Sequence, residues 1–322
     1  MGIVDRYVAF KKQWEQNVPD EEKRKPFNLL KHMYLVSRLQ RTMNCSKAEY
    51  FYYRFYELSE PEQQEYIMDN GYESHYVKLW NEQEDILFTT NKPDFNQVFP
   101  EYVRRDWIEV RKVDYDRFRQ FAEDYPICIE KPVGGHSGQG VCIRHFPPLD
   151  ALPTLFDELN RKNVLLEERL NQNSILASLN PDSINTIRIV TLRRDNVPDI
   201  IMAGLRIGRK GKVADNFGAG GICAKLDFST GRIVRPAISK HNVLYTKHPD
   251  SGIDLIGFQV PMWEELRSTA IVCAEKMPGN LVGWDFAINE KDEIVIVEAN
   301  SAPDIMLMQM VEGHGYRTIL SK

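Results

Sequence analysis

The segment that most constrains this chain lies near its end, in residues 281–300. Two runs rich in apolar residues flank a polar stretch, Asn289–Glu293, and this pattern predicts a β-hairpin. Side chains alternate between the two faces of a strand. We therefore expect one face of the second strand to carry Ile294, Ile296, Glu298 and Asn300.

Folding this hairpin back brings Asp285, on the first strand, towards Glu298 and Asn300. Two carboxylates and an amide oxygen are hard ligands of the kind that Mg²⁺ accepts, with water and phosphate oxygens completing its shell. Burial favours the metal, because Asp and Glu rarely enter a core unless they are paired or coordinating. The alternative is a hairpin whose polar residues face solvent, and this segment alone leaves both interpretations open.

Composition limits the class of protein. At 322 residues the chain is long enough for two or three domains with cores of their own. Its net charge of −5 argues against a general nucleic-acid or membrane-surface role. No apolar run is long enough for a membrane span, and the N-terminus lacks the apolar core of a signal peptide. Five scattered cysteines suit a reducing compartment. We expect a soluble, cytoplasmic protein.

Residues 1–90 are predicted to be mainly helical, because apolar side chains recur at helical spacing. Ser59, Pro61 and Glu62 have the spacing of a helix start with a capping box. The densely aromatic segment Lys47–Leu58 suggests a ligand or base-stacking surface. Rings that pack onto the next domain are the favoured explanation in an acidic chain without interleaved basic residues. We interpret the region as a structural lid or substrate-facing module.

A glycine-rich loop follows the predicted strand Pro126–Lys131 and precedes a second strand, Val141–Phe146. It is neither a dinucleotide fingerprint, which needs a following helix, nor a Walker-type loop, which ends in Lys-Ser or Lys-Thr. Lys131 could instead reach a phosphate from the strand while backbone N–H groups close over it. The candidate loop residues are Gly134, Gly135, Ser137, Gly138 and Gly140, with His136 at the tip better explained as solvated. A hairpin turn without a ligand is the alternative, but the coupling to Lys131 favours a nucleotide.

Polar residues also occupy the strands that follow. The short apolar strand Asn163–Leu170 carries Glu167 and Glu168, either of which could accept a hydrogen bond from an adenine amino group. A pair of surface acids explains them almost as well. Two alternating segments across a two-residue turn place Arg188 and Arg206 on neighbouring strands. Arginines in such positions usually form exposed salt bridges. If these two arginines instead lie over the hairpin carboxylates, they would neutralise phosphoryl charge.

The remaining segments connect these strands to the hairpin. Asn216 opens a second glycine-containing loop. The segment His241–Gly252, around His248, is predicted to be a polar, exposed loop. A helix over Pro261–Met277 then leads into the hairpin.

In this order and spacing the motifs resemble an ATP-grasp enzyme, and in particular the sugar-transfer-associated ATP-grasp family, which is related to the alpha-L-glutamate ligases. The resemblance covers roughly residues 45–320. It implies an α+β, ATP-grasp fold in which two α+β domains with mainly antiparallel sheets clasp ATP. We expect a helical region at residues 1–90, the small domain with the glycine-rich loop at 91–168, and the C-terminal domain with the Mg²⁺-binding hairpin at 169–322.

The resemblance also implies roles for individual residues. Lys131 matches the family's phosphate-binding lysine, and Lys92 matches an earlier one. The adenine-hinge acids are matched by Glu167 and Glu168, and the Mg²⁺ ligands by Asp285, Glu298 and Asn300. The polar residues that lie at the phosphates and the acyl substrate in glutamate-ligase relatives are matched by Arg188, Arg206 and Asn216.

Two departures from the family pattern affect these expectations. The helical N-terminal third lacks the βαβ pattern of the usual first domain, so the route of substrate entry is open. Gly283 stands two residues before Asp285, where several relatives carry an arginine. Phosphate neutralisation would then depend more on Arg188 and Arg206.

The implied function is an ATP- and Mg²⁺-dependent carboxylate–amine ligase that forms an amide through an acylphosphate. The expected partners are small-molecule or saccharide carboxylate and amine substrates, with no nucleic acid; homo-oligomerisation stays open. The alternatives are a phosphotransferase acting on a hydroxyl and a non-catalytic nucleotide-binding regulator. A ligase needs both substrates to release ADP and phosphate, whereas a kinase leaves phosphate on its acceptor. A regulator could dispense with part of the hairpin cluster.

Overall fold

The computed structural model describes residues 3–18, 25–134 and 140–321. The chain divides into two compact units. The first comprises Met1–Leu79, Ile238–Leu244 and Asp304–Lys322, and the second comprises Trp80–Ala237 and Tyr245–Pro303. The domain boundaries expected at residues 90 and 168 stay a prediction. In the described part of the chain, no helix is both long enough and apolar enough to cross a membrane.

Helices make up the N-terminal region, as predicted. In chain order they are α1 (Ile3–Asn17), α2 (Pro26–Met43), α3 (Lys47–Tyr52), α4 (Glu60–Gln64), α5 (Asp69–Gly71), a π-helix (Tyr72–Val77), α6 (Lys78–Trp80), α7 (Gln83–Thr90), α8 (Lys92–Val98) and α9 (Pro100–Val103). The later helices are α10 (Tyr115–Asp124), α11 (Leu152–Lys162), α12 (Ser174–Leu179), α13 (Trp263–Lys276), α14 (Ile305–Glu312) and α15 (Arg317–Leu320), with 3₁₀ turns at Val110–Lys112, Leu149–Ala151 and Phe217–Ala219.

The aromatic segment of the first unit is a core element. Tyr50, Phe51 and Phe55 are each at most 2% exposed. The Phe51 ring lies 5.7 Å from that of Phe10, within the same unit. These rings therefore fill a core and do not form an open stacking surface. The following helix, α4, begins with the predicted capping box, in which the Ser59 backbone N–H donates to the Glu62 carboxylate at 2.7 Å.

The strands form two sheets with antiparallel pairing, which confirms the predicted α+β class. They are β1 (Trp107–Glu109), β2 (Ile127–Pro132), β3 (Cys142–His145), β4 (Val164–Glu168), β5 (Ile187–Arg194), β6 (Val197–Ile207), β7 (Ile222–Lys225), β8 (Ala237–Ser239), β9 (Leu244–Tyr245), β10 (Leu281–Ile288) and β11 (Ile294–Asn300). One sheet has the order β1-β4-β2-β3 and the other has the order β11-β10-β5-β6-β7-β8-β9.

The larger sheet buries one face under α13. Trp263, Leu266, Ala270 and Cys273 follow one another at helical spacing, and all four are buried in the same cluster as Trp284 on β10. Burying a large apolar side chain contributes about 1.5–3 kcal/mol. This packing holds β10 in the sheet between β11 and β5, and the polar residues of its other face become the site described below.

A β-bulge in the hairpin overturns one prediction. Asp285 pairs with Glu298, but the next residue, Phe286, pairs with Ile296, so Val297 is the extra residue of β11. The bulge reverses the alternation of side chains. Ile296 therefore packs in the core with Phe286, together with Ile294, whereas Glu298 shares the opposite face with Asp285. The expectation that all four polar and apolar residues of the strand share one face is wrong for this reason.

The segment His241–Gly252 is mostly exposed, as predicted, but one of its histidines is buried. His248 is only 1% exposed. Its Nε2 lies 3.0 Å from the Gly208 carbonyl oxygen and its Nδ1 lies 3.1 Å from Ser251 Oγ. The imidazole closes its own turn and joins the turn to the end of β6, which explains why a residue in a polar loop is buried.

Candidate functional site

The candidate site is organised around the middle of β10, in the second unit. Asp285 has a cross-strand partner on each side, Arg188 on β5 and Glu298 on β11. Direct cross-strand partners project from the same face of a sheet. The strand order therefore brings together Arg188 and Asp285, which are 97 positions apart in the sequence.

Two arginines hold the Asp285 carboxylate. Arg188 donates from Nε to Oδ1 at 2.6 Å and from Nη2 to Oδ2 at 2.9 Å. Arg206, on β6, donates from Nη1 to Oδ2 at 2.7 Å. Burial alone would raise the pKa of Asp285, which is 2% exposed, but the charges of Arg188 and Arg206 outweigh burial and hold this pKa well below its ordinary value. Both predicted arginines thus meet the predicted hairpin carboxylate.

The other two predicted metal ligands lie on β11. Burial, and then the charge of Asp285, raise the pKa of the Glu298 carboxyl. Asn300 pairs with Gly283, and its Oδ1 accepts a hydrogen bond from the Ala302 backbone N–H at 2.8 Å. The β10–β11 pairing thus brings all three side chains to one face.

These residues fit a divalent cation by their chemistry. Asp285 and Glu298 are like charges that oppose each other, and a cation between them would relieve that repulsion. Within the described ranges, no three His, Cys, Asp or Glu side chains group as metal ligands. A metal here would therefore depend on the Asn300 amide oxygen as its third protein ligand.

Lys131 and Glu167 form a buried pair in the smaller sheet. Lys131 Nζ lies 2.5 Å from Glu167 Oε2, and Arg105 Nη2 lies 3.0 Å from Oε1. Burial would raise the pKa of Glu167, but the Arg105 and Lys131 charges outweigh it and lower the pKa to about 2. Cations therefore occupy both oxygens of Glu167, whereas Glu168 is less buried and its Oε2 accepts from the Asp106 backbone N–H at 3.0 Å. The adenine contact of either residue stays a prediction.

Arg105 is a site residue that sequence reasoning missed. It lies between α9 and β1, in no recognisable motif. Besides Glu167, it donates from Nη1 to the Ile296 carbonyl oxygen at 2.6 Å and from Nη2 to that of Val297 at 3.2 Å. It therefore joins the smaller sheet to the bulge that turns Glu298 towards the site.

Lys92, the first residue of α8, lies in the same charge cluster. Burial lowers its pKa, the charge of Glu298 raises it, and the charge of Lys131 lowers it. The pKa of Glu298 in turn responds to Lys131. The lysines predicted to bind phosphate and the hairpin carboxylates are thus brought within electrostatic range of one another.

The glycine-rich loop is described only at its ends. Gly135, Ser137 and Gly138 lie outside the described residues, as does His136, and their roles stay predictions. Gly140 has a φ of +75°, and a Cβ added there would lie 2.8 Å from Cγ of Pro132. A glycine is therefore required where the loop rejoins the sheet.

Asn216 lies in the loop before β7, where its backbone oxygen accepts from the Gly221 N–H at 3.2 Å. Its neighbour Asp215 was not predicted as a site residue. Asp215 is 6% exposed and lies 3.2 Å from Arg206 Nη2. The only sequence signal was its position beside Asn216, because its partner on β6 is visible only after folding.

Comparison with known proteins adds a family. The model of the family described as sugar-transfer associated ATP-grasp matches residues 149–322. No curated protein matches the chain. A solved structure of the ATP-grasp ligase PsnB complexed with a phosphomimetic variant of its minimal precursor, Mg and ADP is similar at 12% identity, with a TM-score of 0.44, over 75% of this chain and 58% of that chain.

Two further solved structures are similar. The D-alanine–D-alanine ligase from Coxiella burnetii is 11% identical, with a TM-score of 0.44, over 72% of this chain and 55% of that chain. The D-alanyl-alanine synthetase A from Vibrio cholerae O1 biovar eltor str. N16961 is 12% identical, with a TM-score of 0.45, over 72% and 63%. The chain spans less than two thirds of the length of each of these proteins.

Proposed function

The chain belongs to the sugar-transfer-associated ATP-grasp family and has the ATP-grasp fold, and from that premise we propose that it is an ATP- and Mg²⁺-dependent ligase that joins a carboxylate to an amine. The family description suggests a saccharide-related substrate. In this proposal residues 91–168 and 169–322 form the two nucleotide-clasping domains.

The observation that carries the proposal is the meeting of opposite charges from the two sheets. Lys131 and Lys92 come from the smaller sheet and its preceding helix, whereas Asp285 and Glu298 come from the larger one. After burial, the charges of Glu298 and Lys131 perturb the pKa of Lys92, and those of Asp285 and Lys131 perturb the pKa of Glu298. Such clusters of buried, mutually perturbed charges are typical of functional sites. A triphosphate bound by the lysines would lie against the carboxylates.

Each residue of the candidate site has a separate role in this proposal. Lys92 and Lys131 bind phosphate oxygens, and the loop at residues 132–140 covers them and excludes water. Guanidinium N–H groups of Arg188 and Arg206 that Asp285 leaves free offset the charge that develops on the transferred phosphoryl group. Mg²⁺, held by Asp285, Glu298 and Asn300, would supply Lewis-acid charge at the phosphate oxygens.

The proposed reaction has two steps. An oxygen of the substrate carboxylate attacks the γ-phosphorus of ATP and the bond to the β,γ-bridging oxygen breaks, which gives an acylphosphate and ADP. The amine nitrogen then attacks the acyl carbon and loses a proton, and phosphate leaves, which forms an amide. No side chain of the protein needs to act as a covalent nucleophile.

The test uses hydroxylamine as a general amine. The full chain is incubated with Mg²⁺, ATP and a library of amino acids and sugar acids, with hydroxylamine present or absent. A ligase produces ADP, phosphate and a hydroxamate that depend on one carboxylate. A phosphate ester detected by ³¹P NMR, without free phosphate, would identify a phosphotransferase instead. Nucleotide binding without any turnover across the library would favour a regulator.

A further inference from the structure

Arg206 is held at two points. Its Nη1 donates to Asp285 Oδ2 at 2.7 Å, and its Nη2 lies 3.2 Å from Asp215 Oδ1. The side chain is 9% exposed. Its Nε–H is buried and has no hydrogen-bond acceptor among the described residues. The guanidinium is thus fixed by two carboxylates.

Asp215 is itself anchored. Its Oδ2 accepts from the Thr186 backbone N–H at 2.7 Å and from the Thr186 hydroxyl at 2.5 Å. Thr186 immediately precedes β5, which carries Arg188 two residues later. One oxygen of Asp215 therefore attaches the loop to the sheet, and the other is left for Arg206.

The loop that carries Asp215 is closely packed. A Cβ added at Gly221 would lie 2.1 Å from the Asp215 carbonyl oxygen. No side chain fits there, so the backbone at residue 221 passes directly against that of Asp215. Together with the Thr186 bonds, this contact gives the Asp215 carboxylate a defined position.

Stability alone does not explain this arrangement. Buried ion pairs add little net stability, because desolvation offsets their attraction. An unpartnered donor does not by itself distinguish Arg206, because the Nε atoms of Arg38, Arg54 and Arg105 are also buried without an acceptor among the described residues. What distinguishes Arg206 is its place: Asp285 and Asp215 fix its guanidinium, and Asp285 also binds Arg188 at the candidate site.

We propose that Asp215 is a positioning residue: it orients the guanidinium of Arg206 for its contact with the γ-phosphoryl group. This inference rests on the proposed function, since it requires ATP at the site. Asp215 touches no reacting atom and acts only through the orientation of the guanidinium.

The direction in which AMPPNP affinity changes distinguishes a positioning role of Asp215 from a purely electrostatic effect of its charge. Asp215→Asn keeps the size of the side chain and an acceptor for Thr186 but removes the charge that holds Arg206. Removing a negative charge would by itself tighten binding of the more anionic nucleotide. Loss of the hydrogen bond between a misplaced Arg206 and the phosphoryl group would instead weaken nucleotide binding, by about tenfold.

The experiment compares the affinities of Mg²⁺–ADP and Mg²⁺–AMPPNP, which differ in the γ-phosphoryl group. For Asp215→Asn we expect AMPPNP affinity to fall about tenfold and ADP affinity to stay within about twofold. Thr186→Val, which removes only the hydroxyl bond to Asp215, should shift AMPPNP affinity in the same direction by about threefold.

Asp250→Asn is the matched control. It removes the carboxylate partner of Arg209, whose Nε donates to Asp250 Oδ2 at 2.7 Å just beyond the end of β6. The affinities for Mg²⁺–ADP and Mg²⁺–AMPPNP should both be unchanged in Asp250→Asn, because Arg209 and Asp250 lie outside the candidate site.

Tighter AMPPNP binding, equal losses for both nucleotides, or no change in Asp215→Asn would overturn the inference. If Asp215→Asn does not fold, the Thr186→Val variant provides the test. A ratio of AMPPNP to ADP affinity in Thr186→Val equal to that of the wild type would then overturn the inference. A wild-type chain that binds neither nucleotide would instead contradict the proposed function. The two failures are therefore distinguishable.

Discussion

Arg188 and Asp285 are cross-strand partners, and their side chains form a two-point ion pair with distances of 2.6 Å between Nε and Oδ1 and 2.9 Å between Nη2 and Oδ2. The planar guanidinium matches the two carboxylate oxygens. Both residues are less than 9% exposed. A buried pair that loses one partner leaves an uncompensated charge, so Asp285 is the position where a single substitution has the largest expected effect.

Asp285→Asn should lower ATP turnover by at least about 100-fold, because the substitution removes the carboxylate that faces Glu298 and holds both arginines. Unfolding should become easier by about 3–5 kcal/mol while the circular dichroism spectrum is retained. ADP release with the substrate pair found in the hydroxylamine screen measures the first effect. Asp254→Asn, which changes the same charge at an exposed pair with Lys247, is the control. Wild-type turnover in Asp285→Asn would contradict the assigned role.

Lys131→Ala should weaken ATP binding about 10- to 100-fold, as expected for losing a charge-assisted bond to phosphate. The measurement is a calorimetric titration with Mg²⁺–ATP. Lys112→Ala, at an exposed lysine outside the charge cluster, should bind as wild type does. An unaltered affinity in Lys131→Ala would remove this lysine from the nucleotide site and leave it as the partner of Glu167.

Gly140→Ala should destabilise the end of the glycine-rich loop. The positive φ costs an alanine about 1–2 kcal/mol, and its Cβ would contact Pro132. We expect weaker ATP binding and a lower melting temperature. Gly134→Ala is the matched control at the other end of the loop, because a Cβ there meets nothing within 4 Å. Similar behaviour of the two variants would argue against a conformational requirement at Gly140.

The first unit should show a pH dependence that originates at His32. Burial, and then the Lys31 charge, lower the pKa of His32 to about 4 from its ordinary 6.5. The unfolded chain therefore binds a proton between about pH 6.5 and 4 that the folded chain does not. Stability is fully present above pH 6.5 and falls as the pH decreases through this window, by at most about 1.4 kcal/mol per pH unit.

His32→Phe tests this linkage. The substitution keeps a ring against Trp14, whose centroid lies 4.4 Å away, and removes the contact of Nδ1 with the Tyr50 hydroxyl at 2.5 Å. Denaturant unfolding at several pH values should give a shallower slope for this variant between pH 6.5 and 4. Glu60→Gln, at an exposed residue of the same unit, should keep the wild-type slope. Identical slopes in His32→Phe and wild type would assign the effect to other groups.

Much of the site could be predicted because its parts are local. The two-residue turn at Asp195 and Asn196 has φ values of +50° and +65°, the conformation that short hairpins require, and Asn and Asp tolerate it well. Once this hairpin is recognised, Arg188 and Arg206 must lie on adjacent strands. Asp285 and Glu298 follow from the second hairpin by the same reasoning.

Other features could not be predicted because they depend on contacts between distant segments. Arg105 reaches Glu167 and the Ile296 carbonyl oxygen across 62 and 191 positions of the sequence. Asp215 reaches Thr186 across 29 positions. Neither residue belongs to a pattern with a period, so no spacing rule could have marked it.

The sequence by itself determined which segments become strands and which charged residues travel together on them, because alternation and turn chemistry act over a few neighbouring residues. Tertiary structure alone decided how those charges meet. The Val297 bulge turned Glu298 away from the core and towards Asp285. Contacts between distant segments paired Glu167 with Lys131 and Arg105. A further long-range contact paired Asp215 with Arg206. The physical reason is that a buried charge must find a partner wherever the fold supplies one, however far apart the two residues are along the chain.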